Sequence, residues 1–98
     1  MERLTDQQIE ERLSTAAGWV RTDEKWIERK YRFKAFMDGI AFVNKVAERS
    51  EQHDHHPLIA IDYKLVTLRL SSWNAGGLTD LDLQMAQEFN ELFEQQKQ

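Results

Sequence analysis

The run Glu51-Gln52-His53-Asp54-His55-His56-Pro57 holds all three histidines of the chain and its only proline. Histidine has the side chain whose ordinary pKa lies nearest neutrality, so clustered imidazoles can supply a proton donor and a proton acceptor together at pH 7. Glu51 stands four residues before His55, the spacing that puts two side chains on one face of a helix. On that spacing the carboxylate is expected to orient or hydrogen-bond the His55 imidazole. His56 follows directly, and Pro57 turns the backbone, so the two rings are expected to converge on one bound molecule. Two imidazoles with Glu51 and Asp54 beside them suit a reaction that protonates a leaving group at one atom and removes a proton at another. Such groups typically contribute about 10²–10⁴-fold each. The chain has no cysteine, no serine in a Gly-x-Ser-x-Gly elbow and no phosphate-binding glycine loop. Thiol catalysis and disulfides are excluded, and no other nucleophile stands out.

The same residues admit plainer readings. A histidine-rich helix end is often only a solvated surface. His53-x-His55-His56 offers imidazole ligands for zinc, copper or nickel, but without cysteine or a His-x3-His spacing no metal site is expected. Asp82 at the start of a helix is explained by the macrodipole alone. Trp73, shortly before Gly76 and Gly77, reads either as a lid on a hollow or as an anchor in an oligomer interface. Trp19 and Trp26 read as core or sheet-face residues.

Positioning these groups falls to three helices and four strands. Thr5 is placed to cap a first helix, with Gln8 completing a capping box and Leu4 and Ile9 forming a hydrophobic staple. Ile9, Leu13, Ala16 and Ala17 mark its apolar face, and Gly18 is expected to end it. Trp19-Val20-Arg21 is a short extended piece, and residues 22–25 have turn composition. From Trp26 to Phe33 the pattern alternates, with Ile27, Tyr31 and Phe33 opposite Glu28, Lys30 and Arg32, as in a strand with one wet face. A second helix is expected over roughly Ala35 to Gln52. Its stripe is Phe36, Ile40, Val43 and Ala47, widened by Phe42 and Val46. Leu58 to Tyr63 and Leu65 to Ser71 form an antiparallel hairpin, and Ser72 to Gly77 a loop. Thr79 caps the last helix, Leu78 and Leu83 staple it, and Asp82 takes its third position. Leu81, Met85, Ala86, Phe89, Leu92 and Phe93 give its buried stripe. The order implies an α+β fold, a four-stranded antiparallel sheet with three helices packed on one face.

The 98 residues allow one domain, spanning 1–98, that buries only about two thirds of its unfolded surface. A net charge of −4 argues against nucleic acid as a partner. Neither a secretory leader nor an apolar run of membrane-spanning length is present, so a soluble, cytoplasmic protein with no membrane partner is expected.

Glu51, three spacers, His55, His56 and Pro57, then Tyr63, Trp73 and Asp82, follow one pattern. In it come a charged residue, His, His or Asn, Pro, an aromatic, His or Trp, and Asp. The chain thereby resembles the pterin-4a-carbinolamine dehydratases. Leu4-Thr5, Gly18-Trp19, Phe33-Lys34-Ala35-Phe36 and Gly77-Leu78-Thr79 extend the likeness over nearly the whole chain. The resemblance implies an enzyme that dehydrates 4a-hydroxytetrahydropterin to quinonoid dihydropterin, recycling the cofactor of aromatic amino-acid hydroxylases, with no metal and no bound cofactor. By it His55 and His56 are the acid–base pair, Glu51 and Asp54 help set their protonation, and Asp82 lines the same pocket. Pro57, Ser72 and Trp73 would stand beside the pterin substrate. It also implies a homodimer or homotetramer joined through sheet edges and helices.

Two positions depart from many members. Trp73 stands where a third histidine is common, and Leu58-Ile59-Ala60 replaces an acidic residue and a tryptophan after the proline. Trp73 is expected to replace the missing tryptophan in part as a stacking surface for the pterin ring. A coactivator-type binding module, or a relative drifted toward a molybdopterin-related role, is the alternative to the dehydratase.

Overall fold

The computed structural model describes residues 2–97. Thr5 caps helix α1 (Asp6–Leu13) through a complete capping box, its hydroxyl accepting from the Gln8 N–H while the Gln8 side chain accepts from the Thr5 N–H. Leu4 and Ile9 are buried, as a staple requires. The helix stops at Leu13, well short of Gly18. The hydroxyls of Ser14 and Thr15 donate to the carbonyls of Glu11 and Arg12, a local competition that draws the chain out of the helix. Ala16 is therefore buried within a turn while Ala17 is exposed. Gly18 has a φ of 82°, and a Cβ there would lie 2.6 Å from Nε of Arg29.

The remaining elements are β1 (Val20–Arg21), β2 (Ile27–Arg32), α2 (Phe36–His53), β3 (Leu58–Asp62), β4 (Leu65–Leu70), a 3-10 turn at Trp73–Ala75, and α3 (Asp80–Lys97). The four strands form one antiparallel sheet in the order β1-β2-β4-β3. Ile27 pairs with Leu70 and Tyr31 with Val66 across the two central strands. Ile27, Tyr31, Val66, Leu68 and Leu70 are buried in the core that the helices cover. Tyr31, Phe33, Phe42 and Phe93 stack in one aromatic cluster with centroid separations of 4.8–5.9 Å. Trp19 is buried in the same core, whereas Trp26 is half-buried and carries the Arg69 guanidinium over its ring.

A polar brace ties the ends of the chain to this core. Asn90 Oδ1 accepts from Trp19 Nε1, Arg29 Nη1 and the Tyr31 hydroxyl, and Asn90 Nδ2 donates to the Ala17 carbonyl. Burial pushes the Tyr31 hydroxyl well above its ordinary pKa, so it stays protonated and serves as a donor. No helix among the described residues is long and apolar enough to cross a membrane.

The second helix buries one side of the stripe its periodicity implies, centred on Phe42 and Val46. Gly39, Phe42, Val46 and Ser50 face the core, Phe36, Met37 and Ala47 are exposed, and Ile40 and Val43 are half-buried. Gly39 is the cause. A Cβ there would lie 3.3 Å from Cγ2 of Val66, so the missing side chain lets α2 roll down onto β4 along the Gly39 line. Strand β3, apolar enough in sequence for a core strand, is instead the exposed edge of the sheet.

Candidate active site

Helix α2 ends in a left-handed cap. His53 is its last residue, Asp54 has φ 51° and ψ 43°, and the His55 N–H donates back to the Ser50 carbonyl. This reversal sends His53, His55 and His56 to three different carboxylates. The helical spacing of Glu51 and His55 therefore does not apply past the cap, and the expected pairing of those two is not made. His55 Nε2 lies 2.7 Å from Asp82 Oδ1, and Glu51 is instead hydrogen-bonded to His56 Nε2.

Asp82 is wholly buried at the start of α3. Its Oδ2 accepts from the Ser72 hydroxyl at 2.7 Å and from the Thr79 N–H at 2.9 Å. The second bond is the reach-back half of a capping box, so the helix start alone explains that oxygen. The first oxygen is different. A macrodipole would be served equally by a solvated carboxylate, but here Oδ1 is committed to His55 inside the protein. Thr79, legible in the sequence only as a cap, joins the network through its hydroxyl, 3.0 Å from Ser72 Oγ.

This network forms one wall of a hollow of about 180 Å³, lined by Asp54, His55, Ser72, Asn74 and Thr79 among others. His56 and Glu51 are exposed. Asp54 is exposed at the helix cap, and Pro57 is half-buried outside the hollow's lining. Trp73 opens the 3-10 turn beside Ser72 and is 87% exposed, its indole standing out from the surface rather than closing the hollow.

His53 serves another purpose. Its Nε2 lies 2.9 Å from Oε1 of Glu88 on α3, and Glu88 also accepts from Arg49 at 2.7 Å and from Gln84 at 2.8 Å. Burial acts to raise the Glu88 carboxyl, but hydrogen bonds from His53, Arg49 and Gln84 outweigh it and hold the group below its ordinary value. A carboxyl depressed in the folded state adds stability that is full above its unfolded pKa, about 4.3, and is lost as the pH falls through the folded value. The unfolding free-energy difference between wild type and Glu88→Gln is therefore expected to be largest above about pH 5 and to shrink below about pH 4. Urea titrations across that range measure it, and a difference that grows on acidification would contradict the assignment. Little in the local sequence marks Glu88, since His53 and Arg49 lie on another helix and only Gln84 is on its own.

Comparison with known proteins identifies the family of the chain. The family described as pterin 4 alpha carbinolamine dehydratase matches residues 2–92. A protein of Picosynechococcus sp. named "Putative pterin-4-alpha-carbinolamine dehydratase" is 46% identical over 90 residues, 92% of this chain and 97% of its own. The crystal structure of a transcriptional coactivator/pterin dehydratase from Brucella melitensis superposes with a TM-score of 0.89 at 33% identity, covering 93% of this chain and 98% of that one. A pterin dehydratase-like protein identified as a RuBisCO assembly factor shares the fold, with a TM-score of 0.67 at 18% identity over 81% of this chain and 93% of that one. With a family match over nearly its whole length, this chain belongs to the pterin-4a-carbinolamine dehydratases.

Proposed function

We propose that this protein dehydrates a 4a-hydroxytetrahydropterin to the quinonoid dihydropterin and so returns the cofactor of aromatic amino-acid hydroxylases to its cycle. The observation that carries the reading is the buried Asp82 carboxylate bonded to a histidine that borders a hollow. In the reaction the C4a–oxygen bond breaks, the hydroxyl leaves as water after taking a proton, and N5 loses its proton as a C4a=N5 double bond forms. His55, with Nε2 committed to Asp82, offers Nδ1 as the base for the N5 proton. His56, exposed and paired with Glu51, donates to the leaving hydroxyl and is reprotonated from solvent. Asp54, Pro57, Ser72 and Trp73 surround the pterin. The hollow is smaller than the roughly 300–1,000 Å³ of most ligand clefts, so part of the ring system lies outside it, where the Trp73 indole offers a stacking face.

The test generates the substrate in situ with a phenylalanine hydroxylase and follows quinonoid product with wild type, His55→Ala and His56→Ala. Wild type accelerates the step, and each substitution removes about 10²–10⁴-fold of that acceleration. Folded wild-type protein with no acceleration over the spontaneous reaction would mean that the reading is wrong. A binding module would then lead, a reading that the exposed apolar side chains of Leu58, Ile61, Tyr63 and Trp73 favour.

The protein works in this reading as a homodimer or homotetramer. Edge strand β3 leaves one row of backbone groups unpaired and exposes Leu58, Ile59 and Ile61, a combination that a second strand covers well. Ile61→Lys is expected to lower the mass measured by light scattering while leaving the circular dichroism spectrum unchanged. An unchanged mass above the monomer would place the contact elsewhere.

A further inference from the structure

Ser72 stands at the junction of every buried polar group in the site. It is 4% exposed, and its backbone is fixed by two hydrogen bonds to Gly77, from the Ser72 N–H at 2.9 Å and from the Gly77 N–H at 3.2 Å. Its hydroxyl carries one proton and has three polar neighbours: Asp82 Oδ2 at 2.7 Å, Thr79 Oγ1 at 3.0 Å and His55 Nε2 at 3.5 Å.

The three distances assign that proton. An ionised carboxylate only accepts, and at the shortest separation it takes the Ser72 proton. Thr79 Oγ1 is 3.4 Å from Asp82 but closer to Ser72, so its own proton goes to Ser72 Oγ. The chain of donors then runs from Thr79 to Ser72 to Asp82 Oδ2, where the Thr79 N–H also arrives. With Oδ2 supplied by two donors, Oδ1 is the oxygen left for His55, and the proton of a neutral ring belongs on Nε2. Nδ1 has no hydrogen-bond partner among the described residues.

We infer that Ser72 is a positioning residue that acts on His55 through Asp82, its hydroxyl turning the carboxylate so that His55 keeps its proton on Nε2 and its lone pair on Nδ1. The hydroxyl's one proton is committed to Asp82 Oδ2. Removing it leaves Oδ2 with one firm donor, frees the carboxylate to rotate, and lets the imidazole proton divide between its two nitrogens.

The kinetic consequence rests on the dehydratase reading, but the tautomer can be observed without any substrate. Protein labelled with 15N at histidine gives long-range proton–nitrogen spectra that report the protonated nitrogen of each ring. In wild type the neutral His55 ring is expected in the Nε2–H form. Ser72→Ala is expected to show a mixture at His55 alone, with His53 and His56 unchanged, and Ser72→Thr to restore the wild-type pattern. Ser72→Cys nearly keeps the volume but donates weakly, and it gives the same mixture should the alanine variant fail to fold. In the dehydratase assay Ser72→Ala lowers kcat about tenfold with KM unchanged and moves the pH–rate profile, while Ser72→Thr recovers both. A His55 spectrum in Ser72→Ala identical to wild type overturns the inference, as does a raised KM at unchanged kcat. A wild type without dehydratase activity defeats the proposed reaction, and the histidine spectra still decide the role of Ser72.

Discussion

Replacing Asp82 by asparagine is expected to lower dehydration turnover by about 10²–10⁴-fold, as large an effect as removing the His55 ring itself. The substitution keeps the shape of the side chain and exchanges one acceptor oxygen for an amide donor. If the amide faces His55, it donates to Nε2, and the ring must carry its proton on Nδ1, where it no longer accepts from substrate. If it faces the other way, it meets the Thr79 N–H, donor against donor in a site closed to water. That arrangement costs about 1–3 kcal/mol of stability. The two orientations separate experimentally. The first gives a folded protein of nearly wild-type stability with an inverted His55 tautomer, and the second gives a destabilised one. An asparagine variant that retains turnover within about threefold of wild type, well inside the range of general acid–base effects, would remove Asp82 from the reaction.

The largest expected effect on stability comes from Phe42→Ala, at about 3–5 kcal/mol. Phe42 is fully buried, with its ring 4.8 Å from Tyr31, 5.4 Å from Phe33 and 5.9 Å from Phe93. Its removal opens a void among three rings held by β2, the residue that follows it and α3, which have little freedom to collapse into it. Domains of this size are stable by only about 5–15 kcal/mol in total, so the variant sits near its unfolding threshold at 37 °C. Phe36→Ala, six positions earlier on the same helix, is the control. Its side chain is exposed, so a change within about 0.5 kcal/mol is expected provided no partner covers it. Denaturant midpoints at low protein concentration measure both. Equal losses would mean that α2 packs on the Phe36 stripe after all.

That contrast also marks where the sequence was readable. Capping signals are local, and Thr5 with Gln8 and Leu78 with Leu83 described the helix starts correctly because every partner lies within a few residues. Alternation along β2 and β4 worked for the same reason, each strand having one covered face. The stripe on α2 was read with Phe42 and Val46 at its margin rather than its centre, because its rotation is set by a contact across space, Gly39 against Val66, and periodicity weighs a glycine as nothing. The hairpin of β3 and β4 was legible from its composition, whereas the exposure of β3 depends on its standing last in the sheet order. In the site, the residue types and their spacing marked Glu51, His55, His56 and Asp82. Their pairing was not legible: a left-handed Asp54 hands His55 to Asp82 and His56 to Glu51, and no rule of helical spacing reaches past such a cap.

The position of α3 in chain order has a consequence for how the protein is made. This last helix brings Asp82 to His55, Glu88 to His53, Asn90 to Trp19 and Tyr31, and Phe93 to the aromatic cluster. Until α3 docks, the sheet therefore has an apolar face that is still partly bare, and His53 and His55 lack their α3 carboxylates. The N-terminal helix is no better placed, since Leu4 and the turn after α1 are held by Leu78, Gln87 and Asn90. The His55–Asp82 pair and a closed core thus form together, only once α3 is available to dock.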